Sequence, residues 1–523
     1  MVMLNIKREV SLTIANSIAD LLDEVIADQN PKMGGGAMTV SYYDTAWLAM
    51  LRNPDNQSEL LFPQTLVFML AQQAEDGSWG GETPNSLLPT MAGLLALLRL
   101  PHPTDHTRHA AKKAENYLRQ ALLTWAVSQH ESVGFEVLAP YLLDELAKFD
   151  IKLEFPGKIL LMRLFNEKLK LSGAELIYSG RSNLIHSFEA FGDNLDWERL
   201  KPLQAPNGSF GCSPAATASY LMYRWDTAAY NWLKHLLNTK GGIPSGVPNA
   251  YPIDAFEAGW VLYNLRAMGH EIPQNQLNKL TAWLSASLKA DGGSISRMFG
   301  LPTDSDDTGV IMAALKHAGV PVPVDSLMGF ERDGHFACFE GERGISLSAN
   351  AHVLAALLTP YEMAYSSQIA KAVEYLYSVR KEEGFWDDKW HFSAYYSSAS
   401  CVLALNQHPS HKVRHELLPT IQWVLQTQSD VDGGWGWGET ATLEETAYAI
   451  QILKATADLV PPKFKQTHHQ AIAKGTEYIL QNIGEFYPDN GESLPKLWRG
   501  KELYTPVRVV FSAVLSVLDA YSR

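Results

Sequence analysis

The stretch Gln73-Ala-Glu-Asp-Gly77-Ser-Trp79 recurs as Gln204-Ala-Pro-Asn-Gly208-Ser-Phe210 and, one residue longer, as Gln428-Ser-Asp-Val-Asp-Gly433-Gly-Trp435. Each copy reads as a helix ending in Gln, a turn carried by Gly, and an aromatic that packs before the next helix. For Trp79 and Trp435 this is a packing role, as turn chemistry requires. One helix–turn–helix unit repeated along a chain means stacked helical hairpins, either a solenoid or a closed α/α barrel. The intervening sequence agrees: residues 254–268, 307–317, 348–358, 369–380 and 444–455 carry apolar side chains at spacings of three and four. Gly, Pro, Asn or Asp bounds many of them, and alternating strand patterns are scarce. The expected fold class is all-α, in two repeat-bearing halves of about 38–265 and 266–523. An N-terminal helix within residues 1–32, joined through the Gly-rich stretch Met33–Ala37, precedes them.

The chain has 523 residues, enough for roughly two to four domains with substantial cores. It carries 57 acidic and 43 basic residues, a net charge of −14, and no Lys/Arg-rich run, which argues against a nucleic-acid partner. Cys212, Cys338 and Cys401 are far apart and show no CxxC spacing, so neither a disulfide framework nor a zinc knuckle can be built from them. The most apolar segments, 91–98 and 509–518, are about half the length a bilayer requires, and no signal-peptide pattern stands at the N-terminus. A soluble, cytoplasmic protein without a transmembrane segment is expected.

Chemistry concentrates at Thr303-Asp304-Ser305-Asp306-Asp307-Thr308-Gly309, beside a helix start. Carboxylates this close repel one another, so at least one should hold its proton to higher pH, and an apolar setting would push the same way. The product would be a carboxylic acid protonated at neutral pH, suited to general-acid catalysis on a weakly basic substrate. A calcium loop fails, because Leu315 stands where its terminal Glu is needed. A solvated helix N-terminus favoured by the macrodipole is an equal competitor on the cluster alone.

The string Asp304-x-Asp306-Asp307-Thr308 resembles the DxDD motif of class II terpene cyclases, which start cyclisation by protonating a double bond. Other strings are similar to signatures of the class II diterpene cyclases: Tyr43-Asp44-Thr45-Ala46-Trp47, His186-Ser187-Phe188-Glu189, Ser213-Pro214-Ala215-Ala216-Thr217-Ala218, Val247-Pro248-Asn249, Asp388-Lys389-Trp390-His391, Glu444-Glu445-Thr446-Ala447-Tyr448 and Leu497-Trp498-Arg499-Gly500-Lys501-Glu502-Leu503-Tyr504. They occur in family order and cover nearly the whole chain. The resemblance is to bacterial copalyl diphosphate synthase-like members, with two α/α-barrel domains called β and γ. It implies that residues 1–32 belong to the β domain, 38–265 form the inserted γ domain and 266–523 form the rest of the β domain. No DDxxD motif is present, since Lys389-Trp390-His391 follows Asp387-Asp388, so the product should keep its diphosphate.

What the resemblance implies for single residues follows the motifs. Asp306 would be the acid that protonates the terminal double bond of a linear prenyl diphosphate, with Asp304 and Asp307 orienting it. His186 and Asn249 match the pair that positions a proton-removing water in plant ent-copalyl diphosphate synthases, although Phe188, Ala190 and Ala250 depart from the plant strings. Lys389 matches a diphosphate contact, Lys168 lies the expected distance before His186, and Arg499 and Lys501 are further contacts. Trp498, Tyr504, Phe339, Tyr396 and Trp437 are expected liners whose ring faces can stabilise a cation, with core packing the competing reading for each. Mg2+ is the expected cofactor, and the acidic string that serves it in plant relatives is reduced here to Glu131.

The expected activity is cyclisation of geranylgeranyl diphosphate to a bicyclic labdane-type diphosphate, ent-copalyl diphosphate first among them. Alternatives are another stereoisomer, a rearranged halimane or clerodane, a hydroxylated product, or a drimane from farnesyl diphosphate. A squalene–hopene-type cyclase shares the acid motif and the repeats but needs no diphosphate-binding lysines. A non-catalytic scaffold has no use for the acid triad or the His186/Asn249 pair. The expected partners are the prenyl diphosphate, a downstream class I terpene synthase and a second copy of the chain in a homodimer.

Overall fold

Helices that are apolar all round lie inside this protein, and helices with one apolar stripe lie outside them. Leu87–Leu98 buries every residue up to Leu97, whereas the neighbouring Asp105–Ala121 buries only Thr107, Ala110, Ala114 and Leu118. The computed structural model describes the chain except residues 1, 82, 126–133, 172–173, 240–245, 299, 343, 361, 487–490 and 519–523, with backbone only at 2–13, 171, 239 and 485–486.

The chain opens with α1 (Val2–Ala27). A first ring of inner elements follows: α2 (Tyr42–Ala49), α3 (Leu87–Leu98), α4 (Phe135–Ala147), the 3-10 stretch Asn183–Asn194 and α5 (Pro214–Tyr223), which packs back on α2. The second ring comprises α6 (Asp254–Ala267), α7 (Ser305–His317), α8 (Leu347–Leu358), α9 (Ala394–Leu405), α10 (Leu443–Ala455) and α11 (Val507–Ser516), closed by α11 on α6. This is the all-α, two-barrel architecture expected. Each ring has its own core, and the buried residues Ile14, Ile18, Leu21, Leu22 and Val25 of α1 join the second.

The chain passes between rings where β1 (Val40–Ser41) pairs antiparallel with β2 (Val247–Pro248). Met38 and Ala250 already belong to the second core, while Val40 and Val247 belong to the first. Helix α6 therefore sits in the second ring, not in the first half where the sequence boundary at 265 put it. Periodicity marks the helix over 254–268 but carries no information about which ring it closes. A second antiparallel pair, β3 (Trp498–Arg499) with β4 (Leu503–Tyr504), forms a hairpin that matters below.

The repeated turns share one bonding scheme. Gln73 Nε2 donates to Gly77 O (3.0 Å) and Ala110 O (2.9 Å), and Gln428 Nε2 to Gly433 O (2.7 Å) and Ala471 O (2.8 Å), tying each turn to the next outer helix. The aromatic's backbone N–H donates to a hydroxyl of the following inner helix: Trp79 to Thr90 (3.0 Å), Phe210 to Thr217 (2.9 Å) and Trp435 to Thr446 (2.9 Å). The same bond to the inner helix recurs from Trp386 N to Ser398 (3.1 Å) and from Gly293 N to Thr308 (2.8 Å); these escape the sequence reading because the Gln is replaced and, in the second, the aromatic is missing too. Thr308 of the acid motif is thus also a structural residue of the repeat. Among the described residues no helix is long and apolar enough to cross a membrane.

Candidate active site

The repeat scheme that anchors Thr308 sets the acid cluster at the first turn of α7. Asp304 is its N-cap, and its Oδ1 accepts from Asp307 N at 2.7 Å. Asp306 Oδ1 lies 2.5 Å from His352 Nδ1 on α8, whose ring stands edge-on to Trp260 at 5.4 Å and Tyr263 at 6.2 Å. This contact fixes the Asp306 carboxyl through Oδ1. Burial, helped by the charge of Asp306, pushes Asp304 from its ordinary 3.8 up to about 7, against the opposing hydrogen bond from Asp307. Burial and then Asp304 push Asp307 well above the carboxylate range.

His186 and Asn249 come from the first ring and from the end of β2. His186 Nδ1 meets Gly211 O at 2.8 Å, and a carbonyl only accepts, so the proton is on Nδ1 and the Nε2 lone pair is available. Burial, then the charge of Lys501, push His186 down to about 3, against the bond to Gly211. It is neutral at physiological pH. Asn249 Nδ2 donates to the buried Asp44 Oδ2 at 3.1 Å.

Both groups line one cavity of about 790 Å3 between the rings, with the three aspartates on it as well. Phe339, Trp498 and Tyr504 line it too, joined by Phe256 and Trp260 of α6. Tyr396 stands behind the wall, its ring 4.8 Å from Trp498 and 4.6 Å from His391. Trp437 does not line this cavity: it is 39% exposed, packs against Phe385 at 5.0 Å and borders a separate space of about 200 Å3. It follows the buried Trp435 by two residues, and the intervening Gly436 turn carries it outward.

The expected diphosphate contacts divide into two groups. Lys168 Nζ donates to Gly341 O (2.8 Å) from the first half, and Lys389 Nζ donates to Gly344 O (2.6 Å) and pairs with Glu342 from the second. They meet on one loop, whose exposed residues Glu340, Gly344 and Ile345 border the cavity. Arg499 borders both cavities, donating from Nη1 to Asp388 O at 3.3 Å, and burial lowers its guanidinium to about 10. Lys501 also lines the cavity, but its ammonium is held by the first ring. It is 2% exposed, and its Nζ reaches Glu189 Oε1 (2.8 Å), Ser213 Oγ (2.7 Å) and Asp44 Oδ1 (3.6 Å) in the first ring. Burial raises both Asp44 and Glu189, with Lys501 opposing each rise.

Glu131 lies outside the described residues. Among the described residues no group of three or more His, Cys, Asp or Glu side chains is arranged to hold a metal ion. These residues do not fit a Mg2+ cage, and no step is routed through one. Sequence reasoning missed His352, a lone histidine in an apolar helix whose partner lies 46 residues away. It also missed the Asp44–Glu189–Lys501 cluster, although each member stands in a motif string.

Residues 345–485 match the squalene-hopene cyclase C-terminal domain family. An ent-copalyl diphosphate synthase from Streptomyces sp. (strain KO-3988) is 32% identical over 534 residues, covering 96% of this chain and 95% of that protein. The copalyl diphosphate synthase of Talaromyces verruculosus is 31% identical over 504 residues, and the chain spans about half of its length, 52%. Among solved structures, ent-copalyl diphosphate synthase from Streptomyces platensis superposes with a TM-score of 0.79 at 30% identity, over 97% of this chain and 99% of that one. Likeness that runs through both rings is shared ancestry, and the chain belongs to the class II diterpene cyclases.

Proposed function

We propose that the protein cyclises geranylgeranyl diphosphate to ent-copalyl diphosphate, starting from a proton on Asp306 and ending with a proton lost toward His186 and Asn249. The observation that carries this reading is the pairing, across one apolar cavity, of an acid cluster held above its usual range with a neutral histidine. A volume of about 790 Å3 falls among ligand pockets that enclose most of their occupant.

The terminal alkene's electron pair takes the proton from Asp306, leaving a tertiary cation. Two further alkenes attack in turn, each converting a π bond into a ring σ bond. Loss of a C–H proton regenerates one double bond, so the reaction is an isomerisation and the diphosphate never leaves. An alkene is too weak a base for a solvated carboxylic acid, so the acid works only in an enclosed, preorganised site. His352 holds the carboxyl, and Trp260, Phe256, Trp498 and Tyr504 offer ring faces to the passing cation. Lys168 and Lys389 suit the diphosphate end, where the overall charge of −14 makes local cations necessary. Mg2+ is proposed only as a counter-ion carried in with the diphosphate. The ent configuration rests on the His186/Asn249 pair and on the names of the two Streptomyces relatives. A product that keeps its diphosphate calls for a consumer that ionises it, the chemistry of a class I synthase.

The test is incubation with geranylgeranyl diphosphate and Mg2+, dephosphorylation, and chiral gas chromatography–mass spectrometry, with Asp306→Ala alongside. An ent-copalol peak absent from the variant is expected. Another bicyclic alcohol would keep the acid but overturn the stereochemical reading. Turnover of farnesyl diphosphate or squalene instead would overturn the substrate.

A further inference from the structure

The hairpin β3–β4 comes from the second ring, yet its tip is built into the first. Gly500 N donates to Glu502 O at 2.9 Å to close the tip, and the Glu502 carboxylate accepts from Tyr42 N (2.7 Å) and Tyr43 N (3.0 Å) at the start of α2. Between them Lys501 enters the first ring. Its ammonium has three N–H directions and three protein oxygens within reach: Glu189 Oε1, Ser213 Oγ and, at 3.6 Å, Asp44 Oδ1. Two of these are hydrogen bonds and the third an ion pair, so the ammonium is committed to the first ring. The lysines able to meet a diphosphate, Lys168 and Lys389, sit together on the loop bordering the cavity's exposed side.

Through Asp44, Lys501 is linked to the proton-removing pair. Asp44 Oδ1 accepts from Ala215 N (2.9 Å) and forms an ion pair with Lys501 (3.6 Å), while Oδ2 accepts from Asn249 Nδ2 (3.1 Å) and Ser41 Oγ (2.8 Å). The ammonium charge also disfavours an imidazolium at His186, which keeps that base unprotonated between turnovers. Gly500 makes a second, purely steric contribution. A Cβ there would stand 2.4 Å from Asn249 Oδ1 and 3.0 Å from its Cγ, closer than real atoms come, so any side chain at 500 displaces the amide.

We propose that Gly500 and Lys501 are positioning residues for Asn249 and His186, and that this hairpin tip decides how the final cation is ended. With the pair in place, a C–H bond breaks, its electrons form the new double bond, and the proton leaves to the held water or to His186 Nε2. With Asn249 displaced, a water lone pair forms a C–O bond to the cation and that water gives up one proton, so the product gains H2O as an alcohol. The inference rests on the cyclase reading above.

The experiment compares wild type, Gly500→Ala, Lys501→Met and Asn249→Ala on geranylgeranyl diphosphate, reading KM and the ratio of hydroxylated to deprotonated product after dephosphorylation. Gly500→Ala, Lys501→Met and Asn249→Ala should each raise that ratio by about tenfold or more, with KM within about threefold of wild type. A diphosphate ligand would behave oppositely: Lys501→Met raising KM about tenfold with the product ratio unchanged overturns the proposal. Should Lys501→Met fail to fold, Gly500→Ala decides alone, since it removes no charge, and an unchanged ratio there also overturns the proposal. A wild-type protein that forms no cyclic product from this substrate overturns the parent reading first, which separates the two failures.

Discussion

The acid cluster is a site held against its own stability. Among the described residues Asp307 Oδ1 is buried without a hydrogen-bond partner, and burial with Asp304 beside it makes ionisation costly. Asp307→Asn should therefore abolish turnover yet stabilise the fold by about 0.5–2 kcal/mol in urea denaturation, the size of gain seen when functional strain is relieved. Asp306→Ala should lower kcat by at least about a hundredfold with little change in KM, because the lost proton matters only in the transition state. The pH dependence follows from Asp304. The folded protein keeps its proton up to about 7, whereas an unfolded chain releases it near 3.8. That contribution to stability is complete below 3.8 and is lost as pH rises through 7. Ionisation of Asp304 also adds a negative charge to the acid cluster from which the reaction starts. The rate profile should decline on the alkaline side from about pH 7, and a profile flat to pH 9 would remove Asp304 from the acid's environment.

The turn elements carry the barrels, and the motif threonine is one of them. Thr308 Oγ1 accepts from Gly293 N at 2.8 Å as Thr446 does from Trp435 N and Thr90 from Trp79 N. Thr308→Val keeps the shape but orphans a buried N–H, at about 1–3 kcal/mol. Thr446→Val should cost a similar amount by the same mechanism. The readouts separate the two: Thr308→Val should also lower kcat, because it loosens the turn holding Asp306 and Asp307, while Thr446→Val should lower stability alone.

Across the whole molecule, the N-terminal helix is fastened to the second barrel by a partly buried charge cluster. Arg508 on α11 reaches Glu24 Oε2 (3.3 Å) of α1, Asp28 Oδ2 (2.9 Å) just after it, and Glu257 Oε2 (2.8 Å) of α6. Glu257 is 2% exposed and would be left as an unpaired buried charge without it. Arg508→Met should destabilise by about 3–5 kcal/mol, the cost of breaking one side of a buried pair. It should also expose the segment between α1 and β1 to limited proteolysis, with cleavage around residues 28–37. The same logic places the active site where it is. The acid belongs to the second ring, the base to the first, and neither ring encloses the cavity alone.

Local pattern was enough for much of this protein. The α class, the Gly–aromatic turns, the cluster Asp304, Asp306, Asp307 and the landmarks at His186, Asn249, Lys168 and Lys389 are stretches of a few residues whose chemistry or spacing is visible in order along the chain. Contacts between distant residues were not legible in that way. The pairing of His352 with Asp306 spans 46 residues, and the bond of Lys501 to Glu189 spans 312. A lysine in a motif reads as a ligand for an anion until the fold supplies two carboxylates of its own. Trp437 and Trp435 are equally aromatic, and only the turn between them sends one outward and the other into the core. Helix α6 has the same periodicity whichever barrel it joins. Sequence by itself determined the elements and the reactive groups, because those depend on neighbours along the chain; tertiary structure decided which groups face one another, because burial and pairing depend on neighbours in space.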